Sequence, residues 1–283
     1  MGRLHRLGRM LGCLALMLAL GGSASWQAQQ GHASRAMLAG LLRNGVLQWG
    51  ADDTGGAPYV FPDPKHPSTL IGFEVDIANE FARRLHVQQQ MVQTSWDSLP
   101  AALLHRRFDM AMNGLEITPQ HQKVLLFSRP YYVYTEQVVV QKNNTTIHGF
   151  GDLPGKTVGT GTGYKSDDIM QAWNAAHPGK KINIKEYDTD LPFADLDAGR
   201  LDAVFIDLPI AAYYAEPPID TKLKLVGPPV NPGYYGIAFM PHNTVLANAI
   251  NGALAAMTRD GSLTRIYRKW NLMNSAQAHI GIR

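Results

Sequence analysis

The sequence predicts an α/β protein in which short, mostly parallel strands alternate with amphipathic helices in two units. Three observations predict it. From Val46 onward, short apolar runs alternate with segments of helical period. Within those segments apolar residues recur at i, i+4 spacing, as in Phe73, Ile77, Phe81 and Leu85. Two stretches rich in Gly or Pro, 149–155 and 227–233, bracket a middle block about the size of a small domain, which reads as an inserted lobe.

The elements follow in order. Residues 46–51 read as the first strand, and the Phe73 to Leu85 series as one face of a helix. Leu99, Ala102, Leu103 and Arg106 mark a second helix, then Phe108, Met110 and Met112 alternate as a strand. Thr118 before Pro119 reads as an N-cap with proline at the first helical position. The middle block carries strand 157–160, helix 166–176, strand 182–187, a helix ending at Gly199 and strand 203–206. Strands 223–226 and 236–239 follow, and helices 245–257 and 262–270 close the pattern.

Arg3, Arg6 and Arg9 precede an uncharged run from Met10 to Leu20 and the small residues Gly21, Gly22, Ser23, Ala24 and Ser25, the pattern of a secretory signal peptide over residues 1–25. That run is about half the ~20 residues a spanning helix needs, so a soluble exported chain is expected. Residues 26–43, rich in Gln, Ala and Ser, read as a loose lead into the fold. The single cysteine, Cys13, stands at the start of the apolar run, where a lipid-attachment cysteine would follow it. Cleavage near Ser25 removes it, leaving a thiol-free chain without disulfides in an oxidising compartment. Cleavage also removes three arginines and no acid, so the charge falls from 26 − 23 = +3 to 23 − 23 = 0. A neutral chain without a Lys/Arg cluster argues against nucleic acid or an anionic membrane as partner.

Open α/β sheets bind ligands beyond the carboxyl ends of their strands. Those ends carry Asp52 and Asp53; Asn113, Gly114, Leu115 and Glu116; Gly161, Thr162, Gly163, Tyr164 and Lys165; and Asp207. Glycine permits close backbone approach, and a carboxylate can grip an ammonium. For any one aspartate a turn or cap role competes, but four such segments falling two per unit favour a shared site.

Several blocks carry a family resemblance: GFEVDI at 72–77, FDMAMNGLEIT at 108–118, FSRPYY at 127–132, LPGKTV at 153–158, GRLDAV at 199–204, YGIAF at 235–239 and the stretch from Gly261 to Trp270. In this order they resemble the family 3 extracellular solute-binding proteins, the polar amino-acid-binding periplasmic proteins of ABC importers, over most of the chain. The resemblance implies a type II periplasmic-binding-protein fold. Two α/β lobes, each with a mostly parallel sheet flanked by helices, would be joined by hinge crossings near 131–136 and 231–235 and close on a ligand. It places lobe 1 at 44–134 with 236–273, lobe 2 at 135–235 and a tail at 274–283. It further implies a periplasmic monomer serving a membrane permease, with a small-molecule ligand, an amino acid or cationic amine, and no cofactor or metal. By position Asp207 resembles the carboxylate that holds the ligand's ammonium, and Asp53 an acidic residue of the cleft. Trp96 resembles the ring over the ligand, Gly114 a source of backbone contacts, and Thr162 with Gly163 the glycine turn of the second lobe. Tyr59 is a weaker candidate for ligand contact, reading more as packing.

The chain also departs from the family pattern. His121 stands where an arginine normally forks onto the ligand's α-carboxylate, and a histidine lacks that fork and is often neutral. Glu116 replaces a small hydroxyl residue, and Tyr164 a small residue of the glycine turn. Glu116, Asp53 and Asp207 around one cleft would favour a basic amino acid or a polyamine-like compound. Arg129 or Lys165 in the arginine's role would restore an ordinary amino acid, and both alternatives stand.

Gly159 to Ser166 falls short of a phosphate loop because Tyr164 precedes the lysine, and it is not a dinucleotide turn. Neither H-x-x-H nor H-E-x-x-H nor G-x-S-x-G occurs. The competing enzyme reading is a periplasmic dehydratase on this fold (cyclohexadienyl/arogenate dehydratase-like), with Glu116 or His121 as general acid or base. A sensory domain is disfavoured, because only thirteen residues follow Trp270.

Overall fold

Two five-stranded sheets organise the chain in this computed structural model, which describes residues 42, 45–54, 56–188, 191–215 and 222–283. The signal-peptide reading of residues 1–25 lies outside the described residues, as does the loose segment 26–43 apart from Leu42. The strands are β1 Val46–Ala51, β2 Phe61–Asp63, β3 His66–Ile71, β4 Gln88–Gln93, β5 Met110–Ala111, β6 Leu126–Phe127, β7 Tyr132–Gln141, β8 Thr157–Gly161, β9 Asn183–Tyr187, β10 Ala203–Asp207, β11 Leu223–Tyr235 and β12 Ala238–Phe239. The helices are α1 Phe73–Leu85, α2 Leu99–Leu104, α3 Pro119–Gln122, α4 Lys165–Ala176, α5 Leu191–Asp197, α6 Leu208–Ala215, α7 Thr244–Arg259 and α8 Ser262–Lys269. No helix among the described residues is long and apolar enough to cross a membrane.

The first sheet runs β4-β1-β5-β12-β6, with β1 parallel to β4 and β5 and with β12 antiparallel to its neighbours. The second runs β11-β7-β10-β8-β9, with β8 parallel to β9 and β10 and with β7 antiparallel to β10 and β11. The chain therefore leaves the first sheet after β6, enters the second along β7, and returns along β11 to β12. These two crossings pair with each other from Tyr132 opposite Tyr235 to Gln141 opposite Leu223.

Local sequence accounts for most elements. Phe73, Ile77 and Phe81 bury one face of α1, with Leu85 packed at its edge. Thr118 caps α3 by accepting a hydrogen bond from the His121 N–H (3.1 Å), with Pro119 at the first helical position. Gly50 leaves room for the Phe108 ring, which a Cβ there would meet at 2.2 Å.

Three differences from the sequence expectations have physical causes. Met110 and Ala111 alone form β5, and Phe108, Met110, Ala111 and Met112 are all buried, so the strand is covered on both faces rather than alternating. The strand expected at 223–226 runs to Tyr235, straight through the Gly/Pro-rich stretch. Pro228, Pro229 and Pro232 fit because β11 is an edge strand and its register shifts on both sides of Val230, where each proline's missing N–H breaks no ladder. Gln137 Nε2 donates to the Val226 carbonyl at 2.8 Å across the first irregularity. The two glycine-rich stretches meet there: a Cβ on Gly227 (φ +72°) would lie 2.7 Å from the Gly149 Cα. Finally, β4 escaped the apolar pattern because it is a glutamine-rich edge strand with half of its side chains exposed.

The crossings are braced by aromatic packing. Tyr235 stacks on Tyr134 at 4.5 Å and on Tyr132 at 6.0 Å, and Tyr132 meets Tyr267 edge-on at 5.2 Å. Fully buried Gln277, in the 3₁₀ turn Ser275–Ile280, donates to the Val133 carbonyl (2.9 Å) and accepts from its N–H (3.0 Å).

Candidate functional site

A cavity of about 430 Å³ lies between the two sheets. Tyr59, Trp96, Asn113, Gly114 and Glu116 line it from segments flanking the first sheet. Glu136, Tyr164, Lys165, Asp207 and Ile210 line it from the second, and Tyr235 from the end of β11.

Asp207 ends β10 and is buried. Its Oδ2 accepts hydrogen bonds from the hydroxyls of Tyr59 and Tyr235, the latter at 2.9 Å, while Oδ1 has no partner. Burial raises its carboxyl, and the two phenols pull in the opposite direction. Glu136 on β7 is the direct cross-strand partner of Asp207, only 1% exposed, with neither carboxylate oxygen partnered. Burial first, then the charges of Asp207 and Glu116, push its carboxyl well above the ordinary range. Glu116 pairs through its backbone with Tyr235, and its carboxyl is pushed up to about 7 by burial and by Asp207, with Lys165 opposing.

Trp96 opens a 3₁₀ turn after β4 and is fixed at both ends. Its backbone N–H donates to Asp52 Oδ2 at 3.0 Å and its indole N–H to the Asn113 carbonyl at 2.8 Å. Burial works against ionisation of Asp52, yet hydrogen bonds from Thr54, Gln93 and Trp96 outweigh it and hold the carboxyl below its ordinary value. Asp52 is thus the organiser of the Trp96 turn. The Trp96 ring meets Tyr164 at 6.1 Å, and Tyr164 occupies the space that a Cβ on Gly161 would need. Lys165, the first residue of α4, holds Asp168 Oδ2 at 3.3 Å. Gly114 has φ +61°, a left-handed conformation that suits glycine, and a Cβ there would press the Tyr59 ring at 3.0 Å. Its N–H donates to Glu74 Oε1 at 2.8 Å, so the Gly114 donor is spent on a buried carboxyl. Burial pushes Glu74 up to about 7.

Of the residues singled out in the sequence, the structure brings Trp96, Gly114, Glu116 and Asp207 to the cavity, together with Tyr164 and Lys165. Asp53, His121, Thr162 and Gly163 lie outside its lining. The Asp53 N–H donates to Gln93 Oε1 (2.9 Å), and the Thr162 N–H to the Tyr187 carbonyl (2.9 Å). Gly163 takes φ +72° in an exposed turn. His121 Nδ1 sits 2.9 Å from the Glu116 carbonyl oxygen and its ring stacks on Phe127 at 6.4 Å. Arg129 is exposed and also lies outside the lining. Sequence reasoning missed Glu136, Tyr235 and Ile210, and ranked Tyr59 as more a packing residue than a contact, whereas it lines the cavity. A signal for Glu136 was present: it is the sole acid in the strand YVYTEQVVVQ.

Comparison with known proteins accords with this architecture. Residues 47–273 match the family model of the bacterial extracellular solute-binding proteins, family 3. The L-cystine-binding protein TcyJ of Escherichia coli (strain K12) is 31% identical over 272 residues, covering 95% of this chain and 97% of that protein. The ABC transporter arginine-binding protein 1 of the same strain is 30% identical over 208 residues, covering 71% and 82%. Among solved structures, an ancestral arginine-binding protein bound to arginine superposes with a TM-score of 0.71 at 32% identity, over 80% of this chain and 98% of that one. An ancestral amino acid-binding protein described as a precursor of cyclohexadienyl dehydratase gives 0.71 at 31% identity, over 83% and 99%. On the family match and the near full-length relative, the chain belongs to the bacterial extracellular solute-binding proteins, family 3.

Proposed function

We propose that this protein captures a small amine-bearing solute, an amino acid or a related cationic amine, in the cavity between its sheets and presents it to the permease of an ABC importer. The observation that carries the reading is the pair Asp207 and Glu136, directly opposed, buried and with three carboxylate oxygens lacking donors. A buried acceptor without a donor is costly, and an ammonium satisfies it with charge-assisted hydrogen bonds. The names of the relatives, which bind cystine and arginine, support the same class of solute.

In this reading residues 44–134 with 236–273 form one lobe, 135–235 the other, and 274–283 a tail. Residues 1–25 direct export to the periplasm, where the protein acts as a monomer. Asp207 takes the ammonium, Trp96 packs on the body of the solute, and closure about β7 and β11 shifts the population toward the form a permease recognises. The test is a thermal-shift screen across amino acids, polyamines and other small amines. Asp207→Ala is expected to abolish the ligand-induced shift; an undiminished shift would move the ammonium site elsewhere.

A dehydratase is the second reading, favoured by the near-neutral carboxyl of Glu116 in the cavity wall. Turnover of prephenate or arogenate that is lost in Glu116→Gln would replace the binding reading.

A further inference from the structure

The cavity wall carries three carboxyl groups, Glu116, Glu136 and Asp207, against one ammonium, Lys165, which already holds Asp168 at 3.3 Å. No arginine lines it among the described residues. Four donors of the lining are committed elsewhere. The Gly114 N–H goes to Glu74, the Trp96 indole N–H to the Asn113 carbonyl, and the hydroxyls of Tyr59 and Tyr235 to Asp207. The amino end of α4 would attract an anion, but Asp167 and Asp168 in its first turn already answer that field.

Acceptors, by contrast, are in excess. Both oxygens of Glu136 and Oδ1 of Asp207 are buried without a donor. Two carboxylates directly opposite across a ladder repel when both ionise, which a cation seated between them relieves. Glu116, carried on a separate segment bridged to Tyr235, offers a second acceptor in the same cavity. Trp96 and Tyr164 supply ring faces and edges suited to an alkyl chain or a cation.

We infer that the solute is a dication without a carboxylate, a small diamine or guanidino-amine, with one cation between Glu136 and Asp207 and the other at Glu116. This rests on the reading that the cavity captures amines. The test is calorimetric titration of the mature protein with amino acids and their decarboxylated partners: arginine against agmatine, lysine against cadaverine, ornithine against putrescine, histidine against histamine. The expected result is that in every pair that binds, the decarboxylated member binds at least tenfold more tightly. An amino acid that binds as well as its amine, or better, overturns the inference and leaves amine capture standing. Binding of neither class overturns both. Lys165→Met separates the cases further: amine affinity should rise about twofold or more as a like charge is removed. A loss of affinity confined to the amino acids would identify Lys165 as a carboxylate receiver and overturn the inference.

Discussion

Replacing Glu136 with glutamine separates stability from binding at one position. In the free protein Glu136 and Asp207 are direct cross-strand partners, and three of their oxygens lack donors. Were both ionised about 5 Å apart at an effective dielectric of about 20, the repulsion would be about 3 kcal/mol. Burial and the neighbouring charges raise the Glu136 carboxyl well above its ordinary range, which favours a proton retained on the pair. Above the unfolded pKa that retained proton costs about 1.4 kcal/mol for each pH unit until the pair ionises. Glutamine keeps the shape, removes the charge and can donate to Asp207 Oδ1. Glu136→Gln should therefore stabilise the free protein at pH 7.5 by about 1–3 kcal/mol, raising Tm by roughly 2–4 °C for each kcal/mol. The gain should shrink to a few tenths of a kcal/mol near pH 4.5, where the unfolded glutamate is already about half protonated. Binding should move the opposite way: losing a charged acceptor is expected to weaken amine affinity about 10- to 100-fold. Scanning calorimetry at pH 4.5, 6 and 7.5, with and without agmatine or cadaverine, reads both effects. A lower Tm than wild type at pH 7.5, or a gain that does not depend on pH, refutes the reasoning.

Glu74 and Glu116 are each pushed up to about 7 by burial, so the folded chain holds protons that the unfolded chain has released above its ordinary carboxylate range. Stability of the free protein should therefore fall as pH rises from 5 to 7.5, by up to about 3 kcal/mol per group; a flat or rising Tm profile would contradict it. That window lies above the range in which Asp195 and Asp260, held low by hydrogen bonds from Arg200 and Lys185 and from Ser262 and Arg84, give up their own contribution. Gly227→Ala forces a Cβ within 2.6 Å of the His148 carbonyl oxygen and 2.7 Å of the Gly149 Cα at φ +72°. Because both obstacles are backbone, a loss of about 2–4 kcal/mol in urea unfolding is expected. Gln277→Ala leaves the buried N–H and carbonyl of Val133 without their partners and should cost about 2–4 kcal/mol by the same measurement.

The sequence by itself determined the kind of each well-patterned element, because helix period, caps and short apolar runs are local properties. Thr118 and Pro119 started a helix whatever surrounded them, and Asp207 was legible because it closes an apolar strand at the end where α/β sheets bind ligands. The leader 1–25 is likewise a reading of sequence alone. Tertiary structure decided the rest. The strand Leu223–Tyr235 passes through its prolines only because it is an edge strand with irregular register, which composition does not reveal. His121 stands where the family resemblance places a ligand-binding arginine, yet its ring turned to the Glu116 carbonyl and to Phe127. Tyr59 read as packing and also delivers its hydroxyl to Asp207. Glu136 became part of the site because antiparallel pairing set it opposite an aspartate 207 − 136 = 71 positions away. A side chain's charge is written in the chain, whereas its neighbours, burial and field come from partners that only the folded sheet brings within reach.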